Sequence, residues 1–383
     1  MKSFFKNKAI ASGLFMMVFY QIIMIGIFMS GYSAVPKNID KLSVAIVNED
    51  QQYGKKFVQQ LGQELPFHVL TYNNLETARK KLEDRDIYLI MHIPQDFTQK
   101  LNVQDQQVKL DYYINQSNPA TTNSTVQNVV SQLTAKISAE LQTSSIEGVL
   151  QNMKMPAAQS KEIAEGIVDK VSSNVVITNP QPAGMSNQMA PMFLTMASYV
   201  GAMIYSMMSV GALNQLKGKL GKWKAFLSLQ GVNVILSLTA PLFGLGIYFS
   251  IHSYSAGTFT HMWLLHALEL FTAIQFTSIP CLLMGQGGML LNLPLMLVQT
   301  IASGAVLPQV MMPGVFKAVS HVSLMYYTVQ LDYNTLFGGG RTAGLLLGLG
   351  LITLLALLVN AVIHYFKAYT AMSKDAAPQP LFM

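Results

Sequence analysis

The sequence predicts an α-helical integral membrane protein of six transmembrane helices, with an extracellular α/β domain inserted between the first and the second. Three observations carry that reading. Of 383 residues, 51% are hydrophobic and only 11% charged, whereas soluble domains carry about 25% charged residues. Six apolar runs are long enough to cross a bilayer core of about 30 Å, which takes roughly 20 helical residues. The charge is also segregated, since residues 31–188 hold 14 of the 25 Lys and Arg and 16 of the 19 Asp and Glu. The basic excess behind the net charge of +6 therefore lies entirely in the apolar part. That pattern marks topology, not a nucleic-acid surface.

The apolar runs fall at 9–30, 189–213, 226–250, 261–283, 286–310 and 342–365. A Gly-Gln-Gly-Gly turn, Gly285 to Gly288, is all that separates the fourth from the fifth, which predicts a tight helical hairpin. Lys2, Lys6 and Lys8 precede the first run, Lys217, Lys219, Lys222 and Lys224 fill the second-to-third connection, and Lys367 and Lys374 follow the last. Six spans put all of these on one side, so the positive-inside rule makes both termini cytoplasmic. The resulting division is a cytoplasmic N-terminus and first span (1–30), an outer domain (31–188), a five-helix membrane domain (189–366) and a cytoplasmic tail (367–383). The first run is read as an uncleaved anchor. It is long for a signal-peptide core, the alternative, and SGYSAVP at Ser30 to Pro36 is a poor cleavage site.

Between residues 31 and 188 the pattern changes. LSVAIVN (42–48), FHVLTY (67–72), DIYLIMHI (86–93) and VKLDYYI (108–114) read as strands, and 53–65 and 74–85 read as helices between them. Such alternation predicts a small α/β domain. From Asn118 to about Ser173 the chain is polar and helical, with Val126, Val129, Val130, Leu133 and Ile137 on one face for a sheet or a partner.

Little in the chain points to catalysis, and no enzyme activity is expected. There is no G-x-x-x-x-G-K-[ST] loop, so ATP is not expected on this chain. The seven histidines show no metal-ligand spacing, and one cysteine, Cys281, makes neither a disulfide framework nor a thiolate metal site. Glu49-Asp50 and Glu83-Asp84-Asp86 stand at element ends, where capping explains them. His266 and Glu269 differ: three residues apart, they share one face of the fourth span. An ionisable group within a bilayer is costly and faces a cavity or partner. The pair is either a substrate or proton-relay site or a structural bond between packed helices. NQLKGKLGKWKAF (Asn214 to Phe226) either enforces topology or docks a cytoplasmic partner, with Trp223 as its interfacial anchor.

The stretch LVQTIASGAVLPQVMMPGVFKAVSHVSLMYYTVQLDYNTLFGG (Leu297 to Gly339) resembles the last-loop signature of ABC-2 type exporter permeases, particularly the YhgE/Pip branch. Gln299, Ser303, Gly304, Pro308, Pro313, Ser320, Tyr327, Gly338 and Gly339 stand at matching positions. Ala305 replaces a second glycine, and Leu324 stands where that family commonly has proline. VAIVNEDQQYGKKFVQQL (44–61), IMHIPQDFTQKL (90–101) and YYINQSN (112–118) are similar to outer-domain motifs of the same branch.

The resemblance implies a half-transporter in a bacterial cell membrane. Two copies, or two related chains, would form the pathway and bind separate cytoplasmic ATPase subunits, exporting a hydrophobic or amphipathic substrate. It makes SFFKNKAI near the N-terminus, and Lys217, Lys219, Lys222, Trp223 and Lys224, the candidate ATPase-coupling elements. Ser303, Gly304, Pro308, Pro313, Tyr326 and Tyr327 become a candidate outer gate within a re-entrant or interfacial segment near 308–330, the tyrosines at the level of lipid headgroups. A re-entrant helix of purely structural duty is the alternative for that segment. For the whole chain the alternative is a YhgE/Pip-like surface receptor or secretion component that acts through its outer domain without an ATPase. The compact outer domain favours the exporter.

Overall fold

The computed structural model describes residues 38–51, 67–101, 108–153, 171–182 and 184–367, with Ile27, Gly31 and Val58 as isolated positions. Most of the expected first span, the basic N-terminus, the helix at 53–65 and the tail beyond Lys367 lie outside the described residues.

The first part is a five-stranded sheet. Strands β1 (Ser43–Asn48), β2 (His68–Tyr72), β3 (Leu89–Ile93), β4 (Val108–Asn115) and β5 (Val171–Thr178) are arranged in the order β2-β1-β3-β4-β5. β1 runs parallel to β2 and β3, β4 is antiparallel to β3, and β5 is parallel to β4. Alternation of side chains gives the sheet two apolar faces. One packs Ala45, Val47 and Ile90 against Ala78 and Leu82 of α1 (Leu75–Glu83), a helix opened by Asn74, whose side chain accepts from the Glu76 and Thr77 amides. The other packs Val44, Ile46, Met91 and Tyr112 against α3 (Ala120–Met153), through the expected Val126, Val129, Val130, Leu133 and Ile137. The short α2 (Phe97–Leu101) is held by Asp50, which accepts from Thr98 N at 2.9 Å and Thr98 Oγ1 at 2.8 Å.

One expectation fails here. The polar run from Asn118 to about Ser173 is not helical throughout, because residues 171–178 form β5. Asp111 and Tyr113 of β4 pair with Asn174 and Val176. β5 is an edge strand with a largely exposed VSSNVVIT, so it lacks the apolar alternation that marks the inner strands.

The second part is helical: α4 (Ala190–Leu220), α5 (Lys222–Thr239), α6 (Pro241–Ile251), α7 (Ala256–Met284), α8 (Met289–Ala302), α9 (Gly314–Ser320), α10 (Leu324–Phe337) and α11 (Thr342–Phe366). Among the described residues, four stretches are long and apolar enough to cross a membrane: Ala190–Leu220, Lys222–Ile251, Ala256–Ala302 and Thr342–Phe366. Pro241 breaks the second of these, and the third doubles back at Gly285–Gly288. The doubling is tight. A Cβ on Gly288 would lie 2.5 Å from Cys281 N and from Pro280 C, while Asn292 Nδ2 donates to Thr277 O at 2.9 Å.

Two boundaries differ from expectation. The fifth apolar run extends to 310, yet α8 stops at Ala302, since Ser303 caps it and Gly304 turns at φ 78°. At 14 residues α8 rises about 21 Å, short of a bilayer core. The segment after it packs into the body of the protein. Leu324, Met325, Leu331 and Tyr333 of α10 are buried in the helical body, and Leu307 and Met311 lie in the core of the sheet.

Candidate functional site

Glycine and proline chemistry builds the signature segment. Pro308 and Pro313 each hold the extended φ that proline favours, immediately before a short helical turn. Gln299 Nε2 donates to Tyr199 OH at 3.0 Å, and Gln299 Oε1 accepts from Ser323 Oγ at 3.2 Å. Ser303 Oγ accepts from Ala305 N at 3.2 Å, and Gln309 Nε2 donates to Ser320 Oγ at 2.7 Å. Tyr326 meets Tyr327 edge to face, and Tyr327 OH donates to His321 O at 2.9 Å. The polar residues of the signature thus close on one another and on α4. The glycines after α10 close on the sheet: Gly340 N donates to Glu83 O at 2.9 Å, and Arg341 pairs with Asp86 at 2.6 Å.

The intramembrane pair gains a third member. His266 Nδ1 lies 2.6 Å from Glu269 Oε2, and His266 Nε2 lies 3.2 Å from Asp332 Oδ1. Thr195 Oγ1 donates to Asp332 Oδ2 at 3.4 Å. Glu269 and Asp332 are 0% exposed and His266 is 1%. His266 stands ten residues into α7, about 15 Å from its start. Two carboxylates facing one imidazole cannot both be neutralised by it. Either one carboxyl carries a proton or the cluster keeps a negative charge. Sequence reasoning missed Asp332 because it lies between the segment near 308–330, read as re-entrant or interfacial, and the last span. Its only signal was an acidic residue in the stretch LMYYTVQLDYN.

His266 also lines a cavity of about 370 Å³ among α4, α5, α6 and α7, whose apolar walls include Leu194, Leu236, Leu245 and Ile274. Tyr205 lines the same cavity and begins a chain of amides. Its hydroxyl donates to Asn233 Oδ1 at 2.9 Å, and Asn233 and Gln275 both donate to Gln230 Oε1, at 3.2 and 2.7 Å. Asn360 of α11 then donates to Gln275 Oε1 at 3.0 Å. Each link satisfies a polar group that would be costly unpaired at this depth.

The lysine-rich segment is not a loop. Lys217 and Lys219 close α4, Gly221 turns at φ 85°, and Lys222, Trp223 and Lys224 open α5. Cations suit a helix C-terminus but oppose the dipole in a first turn. Lys222 resolves that conflict by donating to Tyr365 O at 2.7 Å, at the carbonyl end of α11. His364 donates to Lys222 O at 3.1 Å and lies between Trp223 and Phe226, its ring stacked on Phe226 at 4.5 Å. Lys219, Trp223 and Lys224 are exposed. Lys222 is therefore a clasp between helices, whereas Lys219 and Lys224 point outward.

No solved structure matches the chain. An uncharacterized protein, YhgE of Bacillus subtilis (strain 168), is 23% identical over 179 residues, 43% of this chain. The match spans only 22% of that protein's length. The family described as "ABC-2 family transporter protein" matches residues 11–362, nearly the whole of the chain that carries the hairpin, the buried triad and the lysine corner. The chain is a membrane component of the ABC-2 transporter family.

Proposed function

We propose that the chain is the permease half of an ATP-driven exporter that moves a hydrophobic or amphipathic substrate out of a bacterial cell. The sheet domain lies outside and both termini lie in the cytoplasm, a reading that the lysine distribution supports. Two such chains, or this one and a related one, form the pathway in the lipid bilayer. ATP binds separate cytoplasmic subunits, and the chain itself carries no cofactor. The Gly221 corner carries this reading, because it gathers four lysines at one end of the helical body and clasps the end of α11. A push on that corner is transmitted into α4, α5 and α11 together. Lys219, Trp223 and Lys224 would meet the ATPase.

Co-purification tests the proposal. The full chain extracted in mild detergent retains a P-loop ATPase, and Lys219→Glu with Lys224→Glu releases it at unchanged membrane level. Recovery of the wild-type chain with no ATPase would instead leave the sheet domain as the working part.

A further inference from the structure

Arg85 is the clearest candidate ligand outside the sites above. It follows α1 at φ 62°, a left-handed position. Its amide donates to Leu82 O at 3.1 Å, and the Asp86 amide donates to Lys81 O at 2.9 Å. Helices that end this way use glycine there, because an L side chain is strained by about 1–2 kcal/mol. The side chain turns into a cavity of about 410 Å³ between the sheet domain and the start of α11. Its guanidinium has only neutral hydrogen-bond partners among the described residues: Ser117 Oγ at 2.7 Å, Gly338 O at 3.2 Å and Gln330 Oε1 at 3.4 Å. Arg85 Nε is buried with no hydrogen-bond partner among them.

The nearby carboxylates are engaged by other groups, and Asp84 and Asp86 line the same cavity together with their partner Arg341. Glu83 accepts from Asn179 at 2.9 Å, and Asp86 is held by Arg341 at 2.6 Å and Lys81 at 3.0 Å. Asp84 lies 3.5 Å from Arg341. Burial pulls the Arg85 guanidinium down to about 10, as expected for a cation without a close counter-charge. Lys317, exposed and in no ion pair among the described residues, stands on the same cavity, with Tyr326 and Gln330 as further polar groups. Leu345 of α11 supplies an apolar flank.

We propose that this cavity binds a phosphate ester, with Arg85 as the primary ligand and Lys317 at the mouth. An arginine fork matches a phosphate's oxygens, and a bound anion supplies the missing counter-charge. The cavity opens beside the first turn of a membrane-crossing helix, so an amphiphile can place its headgroup here with its chains along α11. The proposal rests on the helices lying in a membrane and not on ATP-driven export, so it survives a failed ATPase co-purification.

The test uses the detergent-purified full chain and three probes: dioctanoyl phosphatidylglycerol, dioctanoylglycerol and inorganic phosphate. The phosphatidylglycerol binds, the phosphate-free dioctanoylglycerol does not, and Arg85→Gln weakens binding about 10- to 100-fold, as expected from lost charge-assisted hydrogen bonds. Inorganic phosphate binding as tightly as the lipid assigns the site to free phosphate esters. Its failure to bind assigns the site to headgroups. Arg85→Gly loses binding yet, without probe, unfolds at no lower temperature than wild type, because it relieves the left-handed strain. Two results overturn the proposal: wild type binding neither phosphate probe more tightly than Arg85→Gln, or Arg85→Gly unfolding earlier without probe, which would make Arg85 a structural strut.

Discussion

Asp332 and Glu269 divide one imidazole between them, and all three side chains are buried. Removing His266 would strand two buried carboxylates without a cation, which costs about 3–5 kcal/mol. His266→Ala is therefore expected to destabilise the chain by about that amount, whereas Asp332→Ala, which leaves the His266–Glu269 pair, costs less. Since both substitutions act on one cluster, the double variant should depart from the sum by more than about 0.5 kcal/mol. Unfolding in detergent measures this, and additive losses would mean that the three groups do not form a unit. The i, i+3 spacing made His266 and Glu269 legible in the sequence. Asp332 was not, for it arrives from a helix 63 positions beyond Glu269, and only the burial of α10 brings it near. The same holds for Gly304. Its place in the signature was readable, but its reason was not: a Cβ there would lie 2.6 Å from Gln330 Nε2, at a φ of 78°.

Among the elements, the hairpin of α7 and α8 was the most legible, because three glycines in four residues leave little else to form. Its tightness yields a sharp expectation. An alanine methyl at Gly288 would meet backbone atoms of Pro280 and Cys281 at 2.5 Å, and backbone cannot rotate aside as a side chain does. Gly288→Ala should thus lower the unfolding midpoint markedly, by about 1–3 kcal/mol of overpacking. Gly287→Ala, whose Cβ would have only ordinary contact with Met284, serves as its control. Equal midpoints for the two variants would refute the tight turn. Strands β1 to β4, the edge strand β2 among them, were legible from their β-branched and aromatic runs. β5 was not, since an edge strand needs few apolar residues. The lysine corner was read as a loop because charge and glycine resemble loop chemistry. In the fold the charges are the two ends of helices meeting at Gly221.

At the scale of the whole molecule, the sheet and the helices share a core. Leu307 and Met311, from the segment after α8, are buried among Val44, Met91, Tyr112 and Val130. Asn38 Nδ2 donates to Met311 O at 2.8 Å, and Ser117 Oγ donates to Tyr333 O at 3.2 Å. Any movement of residues 303–327 would therefore have to carry Leu307 and Met311 out of the core of the sheet. Met311→Ala is expected to cost about 2–5 kcal/mol and to open the sheet domain to limited proteolysis. A variant whose sheet domain resists protease as well as wild type would show that the shared core is dispensable. The shared core also orders the birth of the protein. Residues 43–178 leave the ribosome well before Leu307 and Met311, which follow roughly 130 residues later, about 6–25 s at ~5–20 residues per second. The core between α3 and the sheet is thus completed only when residues from the last third of the chain arrive.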